Sequence, residues 1–208
     1  MTSEQIAKKV YKKFSFLEGN QHIAGEFALI CIVRLINDFN VKSVLEIGLG
    51  IGCITETVLT FSKDVIYLGT EANEFCLEAL QVNITNYDSL QIYNDLSEIP
   101  LGVTNDFIIV DGSDVSFSLI KRMCHKKTII FIEGGRALQV NDLKKLFPRA
   151  MHVEMISDYK CPDYGPFSNK NWSNGGQLIF PYPTVKMKIY YLKEKIATYW
   201  KRKKRIRK

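Results

Sequence analysis

The pattern of hydrophobic and polar residues predicts that strands and helices alternate along most of this chain. Short runs of mainly apolar residues are typical of strands buried on both faces of a sheet, and four such runs cover residues 41–47, 65–71, 106–111 and 128–133. Residues 89–94 are a further predicted strand. The segments between them predict helices at 53–62, 73–84, 115–124 and 137–147. This alternation predicts an α/β fold, in which a parallel sheet carries helices on both faces.

The two ends of the chain depart from this alternation. Helical patterns at 4–14 and 21–39 precede the first strand, each with its apolar residues on one side. Near the other end, 151–158 and 177–182 are predicted strands with no helix between them, so we expect them to pair antiparallel at the sheet edge. The total is seven strands, mostly parallel, with an antiparallel edge strand. The long loop 159–176 mixes aromatic and amide side chains and is a candidate ligand-binding segment.

A glycine-rich turn follows the first predicted strand. The strand ends near Glu46, and Gly48, Gly50 and Gly52 come next at alternate positions. Glycine at a strand-to-helix turn permits positive φ and lets a ligand approach the main chain. The dinucleotide fingerprint G-x-G-x-x-G would place its third glycine at Cys53, so a nicotinamide cofactor is disfavoured. The observed G-x-G-x-G with an acid two residues before it resembles the first motif of class I methyltransferases that depend on S-adenosylmethionine (SAM).

The resemblance covers about residues 41–182, because the order of strands and helices matches as well as the motif. It implies a Rossmann-like fold that binds SAM as cofactor with the three glycines. It also implies that Glu46 lies near the methionine end of SAM. Glu71, at the end of the second strand, would accept hydrogen bonds from the ribose hydroxyls. Asp95, after the third strand, would meet the adenine, and Asp111, after the fourth, would contact the methionine ammonium group.

The segments after the fourth and fifth strands suggest the reaction. The tetrad D-G-S-D beginning at Asp111 looks like that of catechol O-methyltransferase-like proteins, in which the first Asp often binds a divalent metal. Glu133 ends the fifth strand and could be a second oxygen ligand, but Gly134 supplies none. Asp111 and Glu133 are therefore candidate metal ligands, while we predict activity that does not depend on a metal.

Methylation of an oxygen atom requires that the acceptor lose a proton, so a nearby base favours it. Asp111 is the predicted catalytic base. His22, near the start of the second helix, is the reserve candidate, because this helix can cover the acceptor in related enzymes. Asp114 and Glu133 are further carboxylates at the same strand ends.

Composition indicates one globular core, since 208 residues with 46% hydrophobic content can bury a sizeable interior. The five cysteines are scattered and odd in number, which favours reduced thiols in a cytoplasmic protein over disulfides or a zinc site. The segment 1–14 lacks the apolar core of a signal peptide. We expect three parts: N-terminal helices covering the acceptor side (1–40), a SAM-binding domain (41–183), and a basic helix and tail (184–208).

The net charge of +6 comes from the end of the chain. Residues 186–208 contain 11 Lys and Arg and one Glu, whereas the other residues contain 17 Lys and Arg and 21 Asp and Glu. A helix at 186–200 that carries Tyr199 and Trp200, followed by a basic tail at 201–208, predicts a peripheral contact with an anionic membrane. A solvated tail is the alternative. Nucleic acid is disfavoured, because the motifs typical of base methyltransferases do not follow the fourth strand.

Three functions remain open at this point. The first is a SAM-dependent methyltransferase acting on an oxygen of a small molecule or glycan. The second is a non-catalytic methyltransferase-like protein that binds SAM, or nothing, and acts through partners. The third is a nicotinamide oxidoreductase, which Glu46 and Cys53 disfavour. The sequence does not identify the acceptor.

Overall fold

The computed structural model describes residues 1–112 and 117–207. A seven-stranded sheet with the order β3-β2-β1-β4-β5-β7-β6 forms its centre. Its strands are β1 (Ser43–Ile47), β2 (Ile66–Thr70), β3 (Leu90–Tyr93), β4 (Asn105–Val110), β5 (Cys124–Glu133), β6 (Met151–Met155) and β7 (Gly176–Phe180). The helices are α1 (Ser3–Phe14), α2 (Glu26–Phe39), α3 (Cys53–Phe61), α4 (Glu74–Asn83), α5 (Phe117–Ile120), α6 (Ala137–Leu146) and α7 (Val185–Ile206).

The apolar runs form strands because both faces of the sheet are covered. In β4, Phe107 and Ile109 point into a core shared with α1, α2 and α3, while Ile108 and Val110 point into a second core with α5 and α6. Alternate residues of a strand face opposite sides, so such a strand must be apolar at every position. The predicted α/β class and the parallel central strands are confirmed.

The antiparallel pair at the sheet edge is also confirmed. Within it, β7 runs antiparallel to both β5 and β6, so it lies one position inside the edge and β6 is outermost. The helix predicted at 115–124 is confirmed where the structure describes it: residues 113–116 lie outside the described ranges, α5 is followed by a 3₁₀ turn at Lys121–Met123, and β5 begins at Cys124.

The last helix is longer than the sequence indicated. We predicted a helix to Trp200 and then a tail, but α7 continues to Ile206, so this boundary was wrong. Contacts with the segment after β6 explain the extension: the Arg205 Nε donates to the Ser157 carbonyl at 2.9 Å, and Lys204 pairs with Asp158 at 3.0 Å. Among the described residues, no helix is long and apolar enough to cross a membrane.

The parallel strands β1 to β5 end at one edge of the sheet. Ligands of open α/β sheets bind outside these carboxyl ends, near the point where the strand order reverses. In this sheet that point lies between β1 and β4, so the loops after these two strands position the candidate site.

Candidate functional site

The three glycines after β1 all adopt positive φ, but they do so for different reasons. Gly48 and Gly52 have φ values of +85° and +94°, and a Cβ at either would collide with neighbours: 2.7 Å from the Gly112 nitrogen and 2.5 Å from Ile84 Cδ1, respectively. Gly50, at φ +53°, would meet nothing within 4 Å. Two glycines therefore permit close packing, whereas Gly50 exposes its main chain to open space where a ligand can approach.

Glu71 holds this turn from the end of β2. Its carboxylate accepts the backbone N–H groups of Gly50 at 2.7 Å, Asn73 at 2.9 Å and Ala72 at 3.0 Å. An ionised carboxylate offers about four acceptor positions, so three are already in use. If Glu71 bound two ribose hydroxyls, it would have to release one of these amides.

Glu46 is buried beneath the turn and faces away from it. Its Oε2 accepts the hydroxyl of Thr55 at 2.7 Å and that of Tyr67, while Oε1 has no partner among the described residues. Burial raises the pKa of Glu46 to about 8, although these two hydroxyl bonds oppose the shift. Glu46 thus joins β1 to α3 and β2 as a largely protonated acid at neutral pH.

A cluster of two carboxylates and one guanidinium lies at the ends of β4 and β5. Arg136 donates to Asp111 Oδ1 at 3.1 Å and to the Gly112 carbonyl at 2.8 Å, and its Nη2 lies 3.9 Å from Glu133 Oε2. Glu133 also accepts the N–H of Gly25, at the start of α2, at 3.3 Å. Arg136 therefore lies between the two carboxylates that the sequence offered as metal ligands.

The environment of this cluster keeps Asp111 partly protonated. Burial and then the neighbouring Glu133 charge raise the pKa of Asp111 to about 7, while Arg136 opposes the shift. Burial likewise raises the pKa of Glu133. A carboxyl group that titrates near neutral pH can both accept and release a proton under physiological conditions.

Two adjoining cavities of about 880 and 290 Å³ lie along this edge. Both are lined by Gln21, His22, Ile23, Gly50 and Asp111. The larger cavity adds the side chains at the other strand ends and two residues of the loop after β6: Glu71, Glu133, Arg136, Phe167 and Asn174. The glycine turn, one histidine and four carboxylates therefore share one ligand-sized groove; the fourth carboxylate is that of Asp142.

Most predicted site residues converge on this groove, but not all of them. The described lining residues include His22, Gly48, Gly50, Glu71, Asp111 and Glu133, and do not include Glu46, Gly52 or Asp95. Asp95 is exposed after β3, where its carboxylate accepts the Ser97 N–H at 2.6 Å; hydrogen bonds from the Ser97 side chain and then from its backbone lower the pKa of Asp95. Asp114, the further candidate base, lies outside the described residues.

Sequence reasoning missed Arg136, the cation of the cluster. A signal existed, because Arg136 follows Glu133 by three residues at the end of a buried strand. In the part of the chain that the structure describes, no group of three or more His, Cys, Asp or Glu residues could hold a metal ion.

Comparison with known proteins identifies the fold. No family model and no curated protein matches the chain. An O-methyltransferase from Bacillus cereus, in complex with S-adenosylhomocysteine (SAH), is 13% identical with a TM-score of 0.54, over 85% of this chain and 89% of that one. The O-methyltransferase TomG from Streptomyces achromogenes, in complex with SAM, is 10% identical with a TM-score of 0.53, over 86% and 89%. At such identities the similarity establishes the fold, and it confirms the predicted class I methyltransferase architecture.

Proposed function

We propose that this protein is a SAM-dependent methyltransferase that methylates an oxygen atom of a small-molecule acceptor. The observation that carries the proposal is the shared groove, in which Gly50, Glu71 and Asp111 line one cavity at the carboxyl ends of the strands. When bound, SAM would supply a methyl group on a positively charged sulfonium, and the neutral thioether SAH would be the leaving group.

The groove suits SAM at the glycine turn. The open space beside Gly50 leaves room that a Cβ would fill, and Glu71 places an acceptor next to it. Glu71 would bind the ribose hydroxyls, and Asp111 would face the ammonium end. Glu46 would act indirectly, because its carboxyl group is buried: its hydrogen bonds with Thr55 and Tyr67 would fix the end of β1, from which the glycine turn begins. We keep Asp95 only as a candidate for the adenine, which would require its surface turn to move.

Asp111 is the proposed base for the acceptor hydroxyl. One of its carboxylate oxygens would accept the hydroxyl proton and leave a nucleophilic oxygen, and a pKa near 7 suits this transfer at neutral pH. Arg136 acts as a positioning residue, because its hydrogen bonds fix Asp111 and the adjacent Gly112 carbonyl. His22 lines both cavities and remains the second candidate for proton transfer.

Acceptor recognition would come from the segments that cover the groove. Gln21, His22 and Ile23 approach from the N-terminal region, and Phe167 and Asn174 from the loop after β6. An aromatic ring together with amides suits a polar ring compound, either a small aromatic molecule or a sugar. These contacts support the proposal that residues 1–40 cover the acceptor side. The unpaired, mostly buried cysteines support a cytoplasmic location.

A methyl-transfer assay tests the proposed activity. Isotopically labelled SAM would be incubated with a panel of phenols, catechols and sugars, using the full chain and Asp111→Asn. We expect transfer to at least one acceptor and a loss of roughly 100-fold or more in the variant, as for removal of a general base. Asp64→Asn, a change at an exposed loop acid, is the matched control and should leave transfer intact.

Two outcomes would count against this proposal. Undiminished transfer by Asp111→Asn would remove Asp111 as the base. Binding of SAH without transfer to any acceptor would instead support the alternative, a non-catalytic methyltransferase-like protein.

A further inference from the structure

The outer face of α7 carries a continuous apolar stripe. Its positions follow one another at alternating steps of four and three residues, the spacing that keeps side chains on one side of a helix. Its six apolar members are between 51% and 80% exposed, and a lysine occupies the remaining position; the stripe consists of Val185, Ile189, Leu192, Ile196, Tyr199, Lys203 and Ile206.

The opposite face of α7 is fixed to the protein. Glu194 pairs with Arg34 of α2 at 2.8 Å, and the Thr198 hydroxyl donates to the Glu154 carbonyl of β6 at 2.6 Å. Met187 is buried in the core beside them. These contacts hold the helix in one orientation, so the stripe faces outward because of the fold. An amphipathic helix normally buries its apolar stripe, so this one is available to a partner.

The residues that flank the stripe identify the partner's charge. The neighbouring positions on both sides are exposed and basic: Lys186, Lys188, Lys193, Lys195, Arg202 and Arg207. Lys188, Lys193, Lys195 and Lys203 form no ion pair with any carboxylate of the described residues. A second copy packed stripe against stripe would bring these like charges together along the whole helix, which is destabilising.

We propose that the outer face of α7 docks on an anionic lipid surface. The apolar stripe would enter the boundary between headgroups and acyl chains, with the helix axis in the plane of the surface. The flanking lysines would lie at the level of the lipid phosphates, and Tyr199 and the adjacent exposed Trp200 are of the type that settles at this interface.

Co-sedimentation with lipid vesicles tests the proposal on the full chain. Vesicles of equal parts phosphatidylcholine and phosphatidylserine would be compared with vesicles of phosphatidylcholine alone, at low and high salt. We expect binding to the anionic vesicles that weakens with salt. Lys193→Gln and Lys195→Gln should each reduce partitioning by about fivefold, the effect of about 1 kcal/mol per lysine. The double variant Leu192→Gln/Ile196→Gln should abolish it.

Matched controls distinguish binding through this surface from nonspecific binding to vesicles. Lys126→Gln/Lys127→Gln removes two exposed charges from β5, and Val82→Gln removes an exposed apolar side chain from α4. Both should partition like the unchanged protein. Because every substituted side chain is exposed, the melting temperature should stay the same in all variants.

Three results would overturn the proposal. The first is equal partitioning to both kinds of vesicle. The second is anionic binding that survives Leu192→Gln/Ile196→Gln. The third is a dimer in sedimentation equilibrium that these substitutions dissociate, because it would assign the stripe to a second copy of the chain.

Discussion

Replacement of Arg136 by Gln should shift the pH dependence of methyl transfer. Arg136 donates to Asp111 Oδ1 at 3.1 Å and favours the ionised carboxylate, so its loss raises the pKa of Asp111. A charge-assisted hydrogen bond contributes about 1.5–3 kcal/mol, and the lower end applies because the Arg136 side chain is 32% exposed. That energy corresponds to about one pH unit. Asp111 would then be about one-tenth ionised at pH 7 instead of about half.

The assay is the pH profile of kcat/KM, which reports ionisations of the free enzyme. In Arg136→Gln, kcat/KM should be about fivefold lower at pH 7 and should recover near pH 9, because the acid limb of the profile moves up by about one pH unit. Arg136→Lys keeps the charge but loses the two separate nitrogens that donate to Asp111 and to the Gly112 carbonyl, so its profile should lie between the other two. Arg149→Gln, a change at an exposed arginine of the loop before β6, is the control and should leave the profile in place.

The reasoning would be refuted if Arg136→Gln kept the same acid limb. A loss of activity that is the same at every pH, with the acid limb unmoved, would also refute it, because that pattern would mean that Arg136 only positions Asp111 and does not favour its ionised form.

Three further outcomes test other parts of the site. Gly50→Ala should cost about 1–2 kcal/mol of stability and weaken SAH binding in calorimetry, whereas Gly48→Ala should unfold at a markedly lower temperature, because its Cβ meets the Gly112 backbone; equal effects would contradict this. The unfolding free energy of the unchanged protein should fall by up to roughly 5 kcal/mol between pH 4.5 and about 8, because the folded Glu46 keeps a proton that the unfolded chain has released. Glu46→Gln should remove this fall. Urea unfolding with the same pH dependence in both proteins would contradict the raised pKa of Glu46. EDTA should leave methyl transfer intact because Arg136 lies between the two candidate ligands, and a loss restored by magnesium would reverse that assignment.

Local patterns predicted the sheet well because burial dictates them. A segment covered on both faces of the sheet must be apolar throughout, so the sequence pattern predicted β1, β2, β4 and residues 128–133 of β5. The pattern also predicted where the acids that end such strands lie, since a charge after a buried run must lie at an edge of the sheet. This is why Glu71, Asp111 and Glu133 were found and do line one groove.

The features that sequence reasoning missed depend on contacts between distant segments. The end of α7 is fixed by contacts with Ser157 and Asp158, and the lysines and arginines of α7 alone do not indicate these contacts. The direction of the Arg136 side chain depends on where α6 begins relative to β4. The burial of Glu46 also depends on such contacts, because strand alternation and the hydroxyl of Tyr67 direct its carboxyl group into the interior; its place near the ligand stays a prediction.

Calorimetry with SAH tests the central claim, that the groove beside Gly50 and Glu71 is a SAM site. We expect the full chain to bind SAH and to give no heat with NAD. Glu71→Ala should weaken SAH binding about ten- to hundredfold, because the sugar hydroxyls lose a charged acceptor worth about 1.5–3 kcal/mol. Glu78→Ala, a change at an exposed acid of α4, should have no effect. Absence of SAH binding, or undiminished affinity in Glu71→Ala, would contradict the account.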